Sequence, residues 1–217
     1  MPTSTTPIRP AQPIKLYRHV VSGHAHRVQL MLSLLDLPFD LVDVDLLTKA
    51  HKTPEFLALN AFGQVPVIQD GDVTLADSNA ILVYLATRYA APGAWLPTDA
   101  LGAAQVQRWL SVAAGQIAFG PAVARIIQLF KLPTDPSDAI QRANQLFQVM
   151  EAHLQQSDYL VGGTPSIADI ANYSYIAHAP EGNVALQPYP HLRAWLARIE
   201  ALPGFVPMVH SRIGLAA

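Results

Sequence analysis

The chain has 217 residues, 51% hydrophobic and 14% charged, with a formal charge of −2 and no cysteine. This is a globular composition, long enough for one large domain or two small ones, and its charge balance supplies no basic field for a nucleic-acid backbone. The absence of cysteine excludes disulfide staples, thiolate zinc sites and any protein thiol nucleophile, so thiol chemistry here has to arrive with a ligand.

In chain order, residues 1–13 are rich in Pro and Thr and lack the apolar centre of a secretory signal, which reads as a flexible tail. Ile14-Lys15-Leu16-Tyr17 is a short strand-like run, and from His26 to Leu37 the residues Val28, Met31, Leu32 and Leu35 share one helical face. Pro38 ends that helix, and Phe39 to Asp45 alternates with the two-residue period of a strand. Thr53-Pro54-Glu55 places a capping residue before Pro and opens a short helix through Phe56 and Leu57. Val65 to Gln69, the turn at Asp70-Gly71-Asp72 and Val73 to Leu75 form a hairpin, after which Ser78 is expected to cap a helix reaching about Tyr89.

The order βαβαββα combines a parallel crossover with an antiparallel hairpin and gives a mixed four-stranded sheet, the order of a thioredoxin-like α/β domain over residues 14–90. Residues 91–99 hold two prolines and a glycine and read as a linker. Residues 100–217 show only helical spacing, over 100–132, 137–156, 167–179 and 189–201, so this half is an all-α helical bundle. In Ser166-Ile167-Ala168-Asp169 the serine stands three residues before a carboxylate, the spacing of a capping box with Asp in place of Glu. No apolar run reads as the roughly 20 residues that span a bilayer, and a soluble, cytoplasmic protein without membrane or nucleic-acid partners is expected.

Leu16-Tyr17, the segment Ser22 to Val28, His51 to Leu57, Asn60 to Val67 and Leu75 to Ile81 occur in an order and spacing that resemble the serine-type glutathione S-transferases, nearest the theta and phi classes and their bacterial relatives. Together with Ser166 to Asp169, the resemblance covers residues 14–210. It implies a transferase that binds glutathione and activates its sulfur for attack on a small hydrophobic electrophile, works as a homodimer in detoxification, and needs no metal and no cofactor beyond glutathione itself. A glutathione-dependent peroxidase or disulfide reductase, and a non-catalytic glutathione-binding scaffold, are the competing readings.

The resemblance also implies site residues. Ser22, just before the first helix, takes the place of the catalytic serine. A thiol of pKa about 8.5 is only a few per cent ionised at neutral pH. Lowering it by about two units takes roughly 2.7 kcal/mol, within reach of a hydroxyl hydrogen bond and a helix N-terminus. Pro66 takes the place of the family's cis proline, and the Val65 backbone would pair with the cysteinyl unit of glutathione like an added strand. Gln64, Asp77 and Ser78 accompany it, Asp77 facing the γ-glutamyl ammonium and Ser78 the γ-glutamyl carboxylate at a helix N-terminus. His51 and Lys52 would meet the glycyl carboxylate.

Around these, Tyr17 is the rival hydroxyl and is read as a packing residue, while His24, His26 and Arg27 are expected to add positive potential. His24-x-His26 is a poor metal motif because no carboxylate has the required spacing. The first bundle helix would bring Trp109, Gln116, Phe119, Val123, Ile126 and Ile127 near the electrophile, with most of them serving the bundle core. Arg125 would meet an acidic substrate or reach solvent.

Overall fold

The computed structural model describes residues 8–217, so residues 1–7 of the expected tail lie outside the described residues. Four strands form one sheet in the order β2-β1-β3-β4, where β1 is Ile14–Arg18, β2 Phe39–Asp43, β3 Val67–Asp70 and β4 Val73–Ala76. β1 runs parallel to β2 and antiparallel to β3, and β3 is antiparallel to β4. The mixed sheet follows from the element order, because the α1 crossover carries the chain back to start a parallel neighbour and the two-residue turn does not. Pro66 stands one residue before β3, outside the ladder, so no strand hydrogen bond is lost to it.

The two-residue period places successive side chains on opposite faces. Ile14, Leu16 and Ile68 enter the main core with Val28 and Met31 of α1 (Gly23–Leu34) and Leu82 of α3 (Ser78–Tyr89). Val67 and Val44 turn the other way and join Phe56 of α2 (Pro54–Leu59) and Tyr17 in a smaller cluster, so Tyr17 is a packing residue that also donates to Gln69. Asp77, not Ser78, is the N-cap of α3: its carboxylate accepts from Asn79 N and Ala80 N at 3.0 and 2.9 Å, and Ser78 is the first helical residue. Cap and helix therefore start one residue earlier than the sequence suggests.

The remaining helices are α4 (Ala100–Val112), α5 (Val123–Leu129), α6 (Ser137–Leu154), α7 (Ile167–Ala177) and α8 (Pro190–Glu200). Between α4 and α5, residues Ala113–Ala122 are wound as a π-helix that carries Pro121, so Ala100 to Leu129 is one continuous helical run. By length and composition this run is apolar enough to cross a membrane, which the sequence reading overlooked; half of its most apolar window is buried inside the protein, and Val106, Trp109, Leu110 and Ile117 all belong to the main core. It is the central helix of the bundle.

α7 sits deepest and touches α1, α3 and α4. Its N-cap is Ser166, and the capping box is complete: Asp169 Oδ2 accepts from Ser166 N at 2.8 Å. The same buried carboxylate accepts from Leu160 N and from the indole of Trp195, both at 2.9 Å. The main core continues from Ile14 in the sheet to Ile199 in α8, so sheet and bundle share one apolar interior. Gly23 permits the contact between α1 and α7, because a β-carbon there would lie 2.8 Å from the ring of Tyr175.

Candidate active site

A cleft of about 750 Å³ opens between the sheet half and the bundle. Its size lies in the range of small-molecule sites. From the sheet side it is walled by Ser22 at the start of α1, by His51 and Lys52, by Gln64, Val65 and Pro66 ahead of β3, and by Asp77 and Ser78 at the start of α3. All eight site residues expected from the sequence thus lie on one wall. They come from four separate segments, and only the fold brings them together.

Ser22 is extended, with φ −84° and ψ 114°, and caps α1; its Oγ accepts from Ala25 N at 3.3 Å. Its own N–H donates to His19 O at 2.9 Å. The Oγ therefore stands where the helix's first N–H groups and dipole favour an anion. The Val65–Pro66 peptide bond is cis. Among the described residues, no backbone hydrogen bond engages the N–H or carbonyl of Val65, so both groups are free at the cleft wall.

Asp77 has φ 72°, a left-handed conformation uncommon outside glycine, and is exposed at the cleft rim. Ser78 behind it is buried, with its Oγ accepting from Arg27 Nη1 at 3.3 Å and standing 3.5 Å from His24 Nδ1. Lys52 Nζ donates to the carbonyls of Phe62 and Gly63 at 3.1 and 3.0 Å, which fixes its charge against the loop that leads to Val65. Gly63 allows this closure: its φ is +56°, and a β-carbon would fall 2.7 Å from His51 O. Burial and the neighbouring Lys52 and Lys49 lower the pKa of His51.

The electrostatics differ from the sequence expectation at the two histidines of α1. Burial, with Arg27 nearby, holds His24 at a pKa of about 3. Burial likewise brings His26 down to about 4. Both are neutral at physiological pH and add no positive potential. His26 Nε2 faces the Val206 carbonyl at 2.9 Å and Nδ1 faces Ser174 Oγ at 2.8 Å, so the neutral ring donates to the first and accepts from the second. The two rings point to different places, His24 to the cleft and His26 to the C-terminal segment, which removes a shared metal. Arg27, at a pKa lowered to about 10 by burial, keeps its charge.

The bundle wall of the cleft is made by Arg125, Ile126, Leu129, Phe130 and Tyr175. Of the residues expected there, only Ile126 lines it; Trp109 is core and Phe119 is 65% exposed elsewhere. Arg125 does not reach solvent: it lines the cleft from a buried position. It is 1% exposed and paired with Glu181 at 2.6 Å. Leu129, Phe130 and Tyr175 are the bundle-wall residues that sequence reasoning missed, and the Tyr175 ring meets His24 edge-on at 5.0 Å. Tyr175 sits in the buried, mostly apolar helix α7, and a tyrosine in such a run reads as core.

One further cluster of ligand-type side chains exists among the described residues. The donor atoms of His178, Glu181 and His210 lie within 4.8 Å of one another. The Glu181 carboxylate is already taken by Arg125 and by Ser211 N, and the two imidazoles stack face to face at 4.4 Å, an arrangement of hydrogen bonds and ring contact.

Comparison with known proteins agrees with this geometry. Residues 12–87 match the family model "Glutathione S-transferase, N-terminal domain" and residues 113–203 match "Glutathione S-transferase, C-terminal domain". The chain belongs to the glutathione S-transferase family. It is 38% identical over 208 residues to Glutathione S-transferase 3 of Zea mays, covering 89% of this chain and 91% of that one. The crystal structure of a glutathione S-transferase from Pseudomonas fluorescens superposes with a TM-score of 0.84 at 37% identity, covering 91% and 99% of the two chains. A glutathione transferase homolog from Drosophila mojavensis, solved with bound glutathione, superposes with a TM-score of 0.77 at 30% identity, covering 88% and 89%. Membership in the family establishes a glutathione transferase fold and activity for this chain, and it favours neither the reductase nor the scaffold reading.

Proposed function

We propose that this glutathione transferase lays glutathione along the sheet wall of the cleft and holds its sulfur as a thiolate beside Ser22. The γ-glutamyl end meets Asp77 and Ser78, the cysteinyl backbone pairs with Val65, and the glycyl carboxylate lies toward His51 and Lys52. Gln64 flanks the peptide. The observation that carries this reading is the convergence of four segments on one wall around Ser22, the N-cap of α1.

The chemistry needs only the anion. Ser22 O–H donates to sulfur, the exposed N–H groups of α1 add their partial charge, and together they favour thiolate over thiol. The sulfur then attacks an electrophilic carbon: a carbon–sulfur bond forms, and chloride or another leaving group departs with its electron pair. Ile126, Leu129 and Phe130 on the facing wall make the second pocket apolar, which supports a small hydrophobic electrophile. No metal or redox cofactor enters the scheme.

The reading extends to a homodimer working in the cytoplasm on reactive small molecules. Phe62 and Leu47, each 82% exposed, flank the loops of the glutathione wall and supply apolar surface that a second copy would cover. A monomer mass in sedimentation equilibrium removes that part alone. The activity is tested by a panel of a chloronitroaromatic, an epoxide, an isothiocyanate and a hydroperoxide with glutathione. Turnover of at least one of the first three supports the transferase; turnover of the hydroperoxide alone would replace it with the peroxidase.

A further inference from the structure

The peptide bond that enters Ser22 is held at both of its polar atoms. Its N–H, on Ser22, donates to His19 O at 2.9 Å within the turn that leaves β1. Its carbonyl, on Val21, accepts from Arg125 Nη1 at 2.8 Å, across the cleft from a helix more than a hundred residues away in sequence. A peptide unit fixed at both ends leaves Ser22 little backbone freedom, and the Oγ inherits that position.

Arg125 is itself held. It is buried in α5, and its Nε donates to Glu181 Oε2 at 2.6 Å. The other oxygen of Glu181 accepts from Ser211 N at 3.0 Å and faces His178 Nδ1 at 2.6 Å, and His210 Nδ1 stands 3.8 Å away. Gly182 lets the Glu181 turn touch α5, because a β-carbon there would lie 2.5 Å from Arg125 N. A second glycine locks the far side: Gly214, with φ +57°, sits where a β-carbon would fall 2.8 Å from Glu181 O. Two buried charges cost several kcal/mol to desolvate, and a hydrophobic pair of similar volume is often at least as stable. Stability alone therefore does not account for an arginine here, whereas a guanidinium can serve a carboxylate and a carbonyl at once from a planar, rigid fork.

We propose that Arg125, oriented by Glu181, is a positioning residue for Ser22, acting through the Val21 carbonyl to set the hydroxyl against the glutathione sulfur. This rests on the role given to Ser22 above. It ties the activating serine of the sheet half to the bundle and to the C-terminal segment, which closes on the same carboxylate through Ser211.

The test is the pH–rate profile with a chloronitroaromatic for Arg125→Lys, and for the double variant Arg125→Met/Glu181→Gln, each with Ser22 intact and in a Ser22→Ala background. The double variant removes both buried charges together, keeps an amide oxygen for His178 and Ser211, and should fold where a lone charge would not. With Ser22 present, the acid limb is expected to move up by about one pH unit. That is a roughly threefold loss of kcat near neutrality, approaching about tenfold on the acid side and recovered at alkaline pH, with the KM for glutathione changed less than about threefold. In the Ser22→Ala background the same substitutions should leave the limb where it is. An equal shift in both backgrounds, or a loss of kcat that alkaline pH does not restore, overturns the proposal, because the arginine would then act by its field or by general stability. If the parent protein and Ser22→Ala share one profile, the role of Ser22 falls and this inference falls with it; if they differ but the arginine variants match the parent, only this inference falls.

Discussion

Ser22 Oγ can donate one hydrogen bond and accept up to two, and the donor and acceptor capacities are divided. The acceptor side is used by Ala25 N at the long distance of 3.3 Å, which leaves the hydroxyl hydrogen to turn toward an anion in the cleft. Asp77 has a similar double use. Its Oδ1 takes both N–H groups of the α3 cap, so only part of the carboxylate remains for an ammonium. Two substitutions separate these uses. Asp77→Asn keeps a cap of nearly equal quality while losing the charge, so thermal stability should hold and glutathione should bind about tenfold more weakly by calorimetry. Asp77→Ala loses both, adding a cost of about 1 kcal/mol in unfolding experiments. Equal glutathione affinity for parent and Asp77→Asn would remove Asp77 from the ammonium. At this scale the sheet wall was legible in the sequence through the family resemblance, while local pattern alone marked Ser22, Pro66 and the Asp77-Ser78 pair only as caps and turns. The charge states were not: nothing in His24-Ala25-His26 announces that the fold buries both rings and neutralises them.

Among the elements, the strands and the short helices declared themselves through period, Pro and capping residues, and the bundle helices through apolar spacing. What the period could not reveal is which face of a helix meets which neighbour. Residues 100–132 read as one amphipathic stretch, yet the π-turns of Ala113–Ala122 shift the register, so that Ile126, Leu129 and Phe130 face the cleft while Trp109 and Ile117 face the core. The same limit hid Arg125, whose partner Glu181 lies 56 residues away in a 3₁₀ turn. The capping box of α7, by contrast, was readable because its two members are local. Its carboxylate does more than cap, since Asp169 also binds Leu160 N and the Trp195 indole in the buried core, despite a pKa raised by burial. Removing it leaves several buried donors without an acceptor, so Asp169→Ala should destabilise by about 3–5 kcal/mol in urea unfolding, well beyond an exposed cap. A loss near 1 kcal/mol would mean that the cap alone matters.

For the molecule as a whole, one apolar interior running from Ile14 to Ile199 holds the sheet half and the bundle in fixed register, and the cleft is the seam between them. The sheet half brings a wall of caps, turns and the backbone of Val65, unpaired among the described residues; the bundle brings apolar side chains and Tyr175. A protein with no cysteine borrows its sulfur from a peptide and controls it by geometry. Because His24 stays neutral down to about pH 3, it contributes no ionisation of its own near neutrality. The ultraviolet thiolate absorbance of glutathione bound to the protein, titrated from acid to alkaline pH with and without Ser22→Ala, therefore reads the central claim directly. The account predicts a midpoint about two units below the free thiol value near 8.5 in the parent, returning toward that value in the variant with glutathione still bound. A midpoint at the free-thiol value in the parent, or an unchanged low midpoint after Ser22→Ala, would contradict it.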